Sequence, residues 1–130
     1  MHTHYQPKGY HTVTPYLAVR EAEKLIDFLK RIFLAEEYKV MRNDDGTLLH
    51  AEIMIGDSII MIGDVQNTFK PFPGMLYVYV DDVDTVYKKV IESEAEPLEQ
   101  PADQEYGDRR CAFRDPAGNE WWVATRVQGR

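Results

Sequence analysis

One motif occurs twice in this chain, and this repeat limits the possible folds more than any other feature of the sequence. The stretch TPYLAVREAEKLIDFLKRIF begins at Thr14, and the stretch MLYVYVDDVDTVYKKVIESE begins at Met75. With Val19 aligned on Val80, the two copies are offset by 61 residues. Each copy predicts a strand that leads into a helix, because apolar residues recur at intervals of three and four after the strand.

The two halves also continue alike. After the first helix come EEYKVMR, LLHAEIMI and IIMIG, separated by the turns NDDG and GDS. After the second helix come AEPLEQ, RRCAFRD and NEWWVAT, separated by the loop PADQEYGD and the turn PAG. Such segments predict three strands joined by hairpins. Each half is therefore predicted to be a βαβββ module, and Asp81 is the expected N-cap of the second helix.

Two such modules predict a single α+β domain over residues 1–130. We expect module 1 at about residues 10–63, a connector at about 64–73 and module 2 at about 74–126. One βαβββ unit leaves a sheet face uncovered, so we expect helices on the outer faces and strands around a shared concave inner face. Concave surfaces of this kind are where small-molecule sites form.

Composition and charge exclude several classes of protein. The chain is 44% hydrophobic and 28% charged, which is typical of a soluble domain. No apolar run approaches the roughly 18 residues of a membrane span, so no membrane partner is expected. A net charge of −7 makes nucleic acid a poor partner. The N-terminal stretch lacks the apolar segment of a secretory signal and Cys111 is the single cysteine, so we expect a cytoplasmic location.

Strand alternation separates a row that faces the helices from a row that faces the predicted cleft. The helix-facing row is expected to contain Val13, Pro15, Leu17, Val19, Leu49, Ala51, Ile53, Ile55, Leu76, Val78, Val80, Cys111, Phe113, Trp121 and Val123. The cleft row is expected to contain Thr14, Tyr16, Ala18, His50, Glu52, Met54, Ile59, Met61, Met75, Tyr77, Tyr79, Arg110, Arg114, Glu120, Trp122 and Ala124. Aromatic rings with a few polar groups are typical of a small-molecule pocket, although the same side chains also fill sheet faces and dimer interfaces.

Two groups of polar residues are candidates for chemistry in this cleft. His50 and Glu52 are two apart on one strand, so they are neighbours on one face and form a possible acid–base pair. The alternative is a hydrogen-bonded polar pair at the cleft rim. Tyr106 and Arg109 lie in the loop before a cleft strand and are candidates to close over a ligand. Alternatively, Asp108 and Arg109 pair with each other and fix that loop.

Several stretches of this sequence resemble stretches in members of a known family. TPYLAV, HAEIMIGDSIIMIGD, VDDVD and YGDRRCAFRDPAGNEWWVAT are similar to stretches of the vicinal oxygen chelate superfamily, which includes glyoxalase I, bleomycin-resistance proteins and extradiol dioxygenases. They look closest to its PhnB-like branch. The resemblance runs from about Tyr10 to Thr125, with YGDR and RDPAGN as its most specific part. It implies paired modules that form a cleft, and commonly a homodimer.

The resemblance also implies four positions for metal ligands, two on each module. These positions are occupied here by Thr14, Met61, Met75 and Trp122. None supplies the imidazole or carboxylate that a divalent ion requires. An unconventional metal site would have to use other side chains on the same face, namely Glu120, His50 and Glu52. His2 and His4 form a pair in a polar tail that holds no fixed geometry.

Two functions from different classes remain open at this stage. The first is a binding protein without a metal or other cofactor, which holds a small planar or cationic molecule as the antibiotic-resistance members of the resembled family do. Its ligand-binding residues are predicted to be Tyr16, Met61, Tyr77, Tyr79, Tyr106, Arg109, Glu120 and Trp122. The second is a glyoxalase-type lyase, isomerase or dioxygenase that uses a divalent metal or relies on His50 and Glu52 as catalytic residues.

Overall fold

The computed structural model describes residues 5–66 and 68–127. His2 and His4, the predicted histidine pair, lie outside the described residues. Module 1 consists of β1 (Tyr16–Val19), α1 (Ala22–Phe33), β2 (Glu36–Arg42), β3 (Leu48–Ile55) and β4 (Ser58–Asp64). Its sheet has the strand order β1-β4-β3-β2, in which only the β1–β4 pair is parallel.

Module 2 repeats this arrangement. It consists of β5 (Met75–Tyr79), α2 (Val83–Ile91), β6 (Glu96–Asp103), β7 (Asp108–Arg114) and β8 (Glu120–Arg126). Its sheet has the equivalent order β5-β8-β7-β6, again with one parallel pair, β5–β8. The predicted α+β fold of two βαβββ modules is therefore confirmed. Within the described ranges, neither helix is long and apolar enough to cross a membrane.

Each helix buries one apolar stripe against its sheet, as the periodicity predicted. The buried stripe of α1 contains Ala22, Leu25, Ile26, Phe28, Leu29 and Ile32. Helix α2 begins one residue later than expected, because Asp82 rather than Asp81 is its N-cap. The Asp82 carboxylate accepts hydrogen bonds from the backbone N–H groups of Asp84 and Thr85 at 3.1 and 3.3 Å. Only the residue directly before the first helical turn places its side chain in reach of those groups.

The modules meet on the helix-facing side of their sheets. The Phe33 ring, at the end of α1, lies 6.2 Å from Phe113 and 5.2 Å from Trp121, both in module 2. The Phe28 ring lies 5.8 Å from Phe113. One hydrophobic core therefore contains residues of both modules.

Two parts of the predicted helix-facing row are wrong. Leu49 is 41% exposed, whereas Leu48 is buried. Met41 pairs with His50 but Arg42 pairs with Leu48, so Leu49 is the extra residue of a β-bulge, and alternation fails at this point. Val13 and Pro15 are exposed because they precede β1, which begins only at Tyr16.

The turn between β7 and β8 holds the first tryptophan in the core. One carboxylate, that of the buried Asp115, accepts hydrogen bonds from the backbone N–H groups of Ala117 and Asn119 and from Trp121 Nε1 at 2.8 Å. The Asn119 side chain in turn accepts the backbone N–H of Gly74, just before β5, at 2.8 Å. This turn therefore fixes the start of β5 and β8 together and leaves Trp122 on the opposite face.

Candidate functional site

Four aromatic side chains of module 2 form a continuous surface on the face of the sheet away from the helices. We call this surface the aromatic wall; it consists of Tyr77, Tyr79, Tyr106 and Trp122. Tyr77 is the register partner of Trp122 on the neighbouring parallel strand, and the rings of Tyr77 and Tyr79 are 5.4 Å apart. Tyr77 is 44% exposed and Tyr79 is 57% exposed. The sequence placed all four on the ligand side, and the structure brings them together.

A single buried carboxylate orients two of these rings. Asp108 has no exposed surface, and its Oδ2 accepts hydrogen bonds from the hydroxyls of Tyr77 and Tyr79 at 2.7 and 2.9 Å. Arg126 Nε donates to its other oxygen at 3.1 Å. Burial opposes the charge, but these hydrogen bonds outweigh it and hold the pKa of Asp108 below its usual range. Asp108 therefore stays ionised, and the two phenol rings are fixed in place.

The same contacts affect Tyr77. Burial, then hydrogen bonds with Tyr106 and Asp108, raise the pKa of Tyr77 far above its usual value. Its hydroxyl lies 3.2 Å from that of Tyr106. Tyr77 thus remains a neutral phenol at any physiological pH. It offers an aromatic face rather than a phenolate.

Arg110 covers part of the wall. Its guanidinium carbon lies 4.8 Å from the centre of the Trp122 ring, within the range of a cation–π contact. Arg110 Nε and Nη2 donate to Glu99 at 3.0 and 2.8 Å, and Nη1 donates to the Tyr106 hydroxyl at 3.0 Å. Trp122 Nε1 is buried and has no hydrogen-bond partner among the described residues. A buried donor without a partner is rare, and it points to a group that the chain itself does not supply.

The remaining predicted residues of this module lie elsewhere. Glu120 is on the wall side but forms an ion pair with Arg114 at 2.9 Å. Arg109 lies on the opposite face of β7 from Arg110, where its guanidinium binds Asp84 of α2 and Asp103. We therefore leave Arg109 out of the wall. Asp108 forms an ion pair with Arg126 at 3.1 Å.

Module 1 presents a second, smaller surface, which we call the histidine face: Tyr16, His50, Glu52 and Met61. His50 Nε2 lies 2.9 Å from Glu52 Oε2, and the Tyr16 and His50 rings are 5.7 Å apart. The Tyr10 hydroxyl donates to the other oxygen of the buried Glu52. Burial, followed by the nearby charge of Lys39, holds the pKa of His50 below its usual value.

These two surfaces are separate. The ring contact of Tyr16 with His50 lies within module 1, and the contacts of Tyr77, Tyr79 and Trp122 described above lie within module 2. A cavity of about 380 Å³ lies at the junction of the modules. Two residues of the aromatic wall, Tyr77 and Tyr79, line it together with Pro15, Ile59, Leu76 and Val78.

The residues at the implied metal positions do not fit a divalent ion. Met61 and Trp122 occupy equivalent positions beside Tyr16 and Tyr77, and neither is a usual ligand for such an ion. His50 and Glu52 supply two ligands. Residues 5–66 and 68–127 contain no group of three or more His, Cys, Asp or Glu side chains placed to hold a metal. We derive no chemistry through a metal in this site.

Three functional candidates were not singled out from the sequence as site residues. Tyr10 was missed because its partner Glu52 is 42 positions away and no local pattern connects them. Asp108 and Arg126 were missed because the predicted strands were one residue too short: the predicted β7 begins at Arg109 and the predicted β8 ends at Thr125. Alternation extended by one residue at each strand end would have placed both on the face of Arg110 and Trp122.

Comparisons with known proteins agree with this fold. Residues 9–123 match the family model of the Glyoxalase/Bleomycin resistance protein/Dioxygenase superfamily. The uncharacterized protein Mb0911c of Mycobacterium bovis is 28% identical over 127 residues, which cover 89% of this chain and 84% of that protein. The uncharacterized protein Rv0887c of Mycobacterium tuberculosis is also 28% identical over 127 residues, covering 89% of this chain and 75% of that protein.

Solved structures show the same architecture at lower identity. TioX from Micromonospora sp. ML1 has a TM-score of 0.76 and 22% identity, over 90% of this chain and 99% of that one. The PhnB protein from Bacillus cereus has a TM-score of 0.70 and 22% identity, over 88% and 99%. The fosfomycin resistance protein FosX from Mesorhizobium loti has a TM-score of 0.65 and 19% identity, over 88% and 91%. With the family match over most of its length, this chain belongs to the Glyoxalase/Bleomycin resistance protein/Dioxygenase superfamily.

Proposed function

We propose that this protein binds a small planar molecule against the aromatic wall of module 2, without the metal that the superfamily resemblance implies. The observation that carries this proposal is that the rings are exposed and yet fixed. Tyr77 and Tyr79 are about half exposed, and both are held by the buried Asp108. Side chains that are ordered before binding lose little conformational entropy when a ligand stacks on them.

The sequence also allowed a cationic ligand, with Glu52 or Glu120 as its counter-charge. Both carboxylates already have partners: His50 and Tyr10 contact Glu52, and Arg114 contacts Glu120. Stacking on the wall therefore supports the planar alternative better than the cationic one.

The homodimer that we predicted remains part of this proposal. Large apolar side chains on the strand faces are exposed, including Tyr16 at 55%, Met75 at 67% and Tyr79 at 57%. A second copy that covers these faces would bury them and would close a pocket over each wall. Sedimentation analysis tests this directly, and a monomer at high concentration would contradict it.

We also propose a cytoplasmic location, with which the single free cysteine is compatible. Cys111 lies fully buried on the helix-facing side. Burial raises the pKa of its thiol to about 12, so the thiol is neither ionised nor accessible at neutral pH. This removes cysteine nucleophiles from the possible chemistry of the site.

Binding is tested by titrating the protein with planar aromatic compounds and measuring affinity by calorimetry. Trp122→Ala should weaken binding by about ten- to hundredfold, because a stacked aromatic ring contributes roughly 1–3 kcal/mol. The matched control is Tyr5→Ala, which removes an exposed ring that lies outside the strands of both modules. Equal affinities for the two variants and the unmodified protein would contradict our choice of the aromatic wall.

A second candidate function is acid–base catalysis at the histidine face. It is favoured by the Tyr10–Glu52–His50 chain of hydrogen bonds, in which the carboxylate contacts His50 Nε2 and leaves Nδ1 to meet a substrate proton. Proton exchange at the activated C–H of small carbonyl compounds, followed by NMR in heavy water, tests this function. His50→Gln should abolish protein-dependent exchange; exchange at the same rate in that variant would exclude His50 as the base.

A further inference from the structure

The carboxylate acceptors on the aromatic wall are already used. Asp108 accepts from two tyrosines and Arg126, and Glu99 accepts twice from Arg110. At the edge of the wall, Glu120 accepts from Arg114. A ligand that brings only donors or a positive charge therefore meets carboxylates that are neutralised by arginines.

Hydrogen-bond donors, in contrast, remain available. Trp122 Nε1 is a buried donor that has no hydrogen-bond partner among residues 5–66 and 68–127. Arg110 directs three N–H groups to Glu99 and Tyr106, whereas a guanidinium has five. Both donors belong to one contact, because the Arg110 guanidinium lies over the Trp122 ring. The wall thus combines an aromatic plane with a local excess of donors, one of them charged.

From this imbalance we infer that the ligand of the wall is a planar anion, or a planar molecule with an acceptor oxygen at its edge, such as an aromatic carboxylate or a phenolate. This inference rests on the proposed binding function and specifies its ligand class. The ring would stack on the tyrosines and Trp122, while the oxygen accepts from Arg110 and Trp122 Nε1. Hydrogen bonds that involve a charged group are about twice as strong as neutral ones.

The net charge of −7 does not oppose this inference. Charges separated by more than about 8 Å are largely screened at physiological ionic strength. Arg110 lies at the wall itself, and although Glu99 balances its charge, two of its five N–H groups remain for an acceptor at contact distance. The acidic surface affects the rate of approach more than the choice of ligand.

Three probes of one ring system test the inference by calorimetry: naphthoate, naphthalenemethanol and naphthylmethylammonium. They share the planar ring and differ in the charge and hydrogen bonding of one substituent. We expect naphthoate to bind about tenfold or more tightly than naphthylmethylammonium, the ratio that one charge-assisted hydrogen bond supplies. Arg110→Gln and Trp122→Phe should each reduce that ratio of affinities. Trp122→Phe removes the Nε1 donor but keeps an aromatic ring at this position.

The matched control is Arg109→Gln, which removes the same charge from the opposite face of β7 and should leave the ratio unchanged. Equal affinity for the three probes, or tighter binding of the cation, would overturn the inference but leave the binding function standing. No binding of any probe would overturn both. Trp121 remains in the core of every variant, so its fluorescence confirms that each one is folded.

Discussion

The two modules have the same backbone plan but present different chemistry on their outward faces. Register makes the comparison position by position: Tyr16 pairs with Met61 in module 1, as Tyr77 pairs with Trp122 in module 2. By the same rule His50 corresponds to Arg110, and Glu52 to Ala112. The equivalent helix-facing positions remain apolar in both modules. Packing against a helix limits one row of each strand, whereas the other row is free to differ.

The largest effect that we expect concerns the helix-facing row. Trp121→Ala should lower the free energy of unfolding by roughly 3–5 kcal/mol, because it empties a fully buried site and leaves Asp115 without one of its donors. Ile60 is the equivalent position in module 1, and Ile60→Ala should cost about 2–4 kcal/mol. Denaturant unfolding measures both. A loss of the same size in Trp122→Ala would break the distinction between the two rows.

The next effect concerns the rigidity of the aromatic wall. Asp108→Asn keeps the size of the side chain but removes the charge that two tyrosine hydroxyls contact. We expect affinity for a planar ligand to fall about tenfold as the rings lose their fixed orientation. The pKa of Tyr77 should also fall, because Asp108 contributes to raising it. Calorimetry and the phenolate absorbance measure these changes, and Asp84→Asn, on the far side of β7, is the control.

A smaller effect is the pH dependence of stability that His50 causes and that its counterpart Arg110, which is always charged, does not. Burial lowers the pKa of His50 in the folded chain, so between the folded and unfolded pKa values the unfolded state binds more protons. The contribution of neutral His50 to stability is therefore present above about pH 6.5 and is lost as the pH falls below it. In His50→Gln, unfolding midpoints at pH 8 and pH 5 should differ less than in the unmodified protein. An unchanged difference would contradict the lowered pKa.

The smallest effect that we expect comes from a substitution, Gly63→Ala, that makes module 1 more like module 2. Gly63 corresponds to Ala124, and a Cβ added at Gly63 would collide with the hydroxyl end of Tyr16. Tyr16 is half exposed and can move away, so Gly63→Ala should change stability by less than about 1 kcal/mol. The ring contact between Tyr16 and His50 should nevertheless be lost. NMR shifts of the His50 ring report this, and unchanged shifts would contradict the contact.

The repeat predicted the elements well because apolar spacing in each half must match a helix and a sheet that pack together. It failed where a single residue changes the alternation, as at Leu49 in the bulge of β3. It also failed at the N-cap of α2, which is Asp82 rather than Asp81, because the sequence alone does not distinguish two adjacent aspartates as caps. The outward rows were harder to predict, because contacts such as Tyr10 with Glu52 join residues far apart in the chain.

The position of Phe33 has a consequence for how such a chain is able to diversify. This one residue, at the end of α1, contacts both Phe113 and Trp121, so the aromatic contact that it makes between the modules lies on the helix side of the sheets. Substitutions on either outward face therefore leave this aromatic contact intact. The side chains of an outward face can thus change while the core that joins the modules is kept.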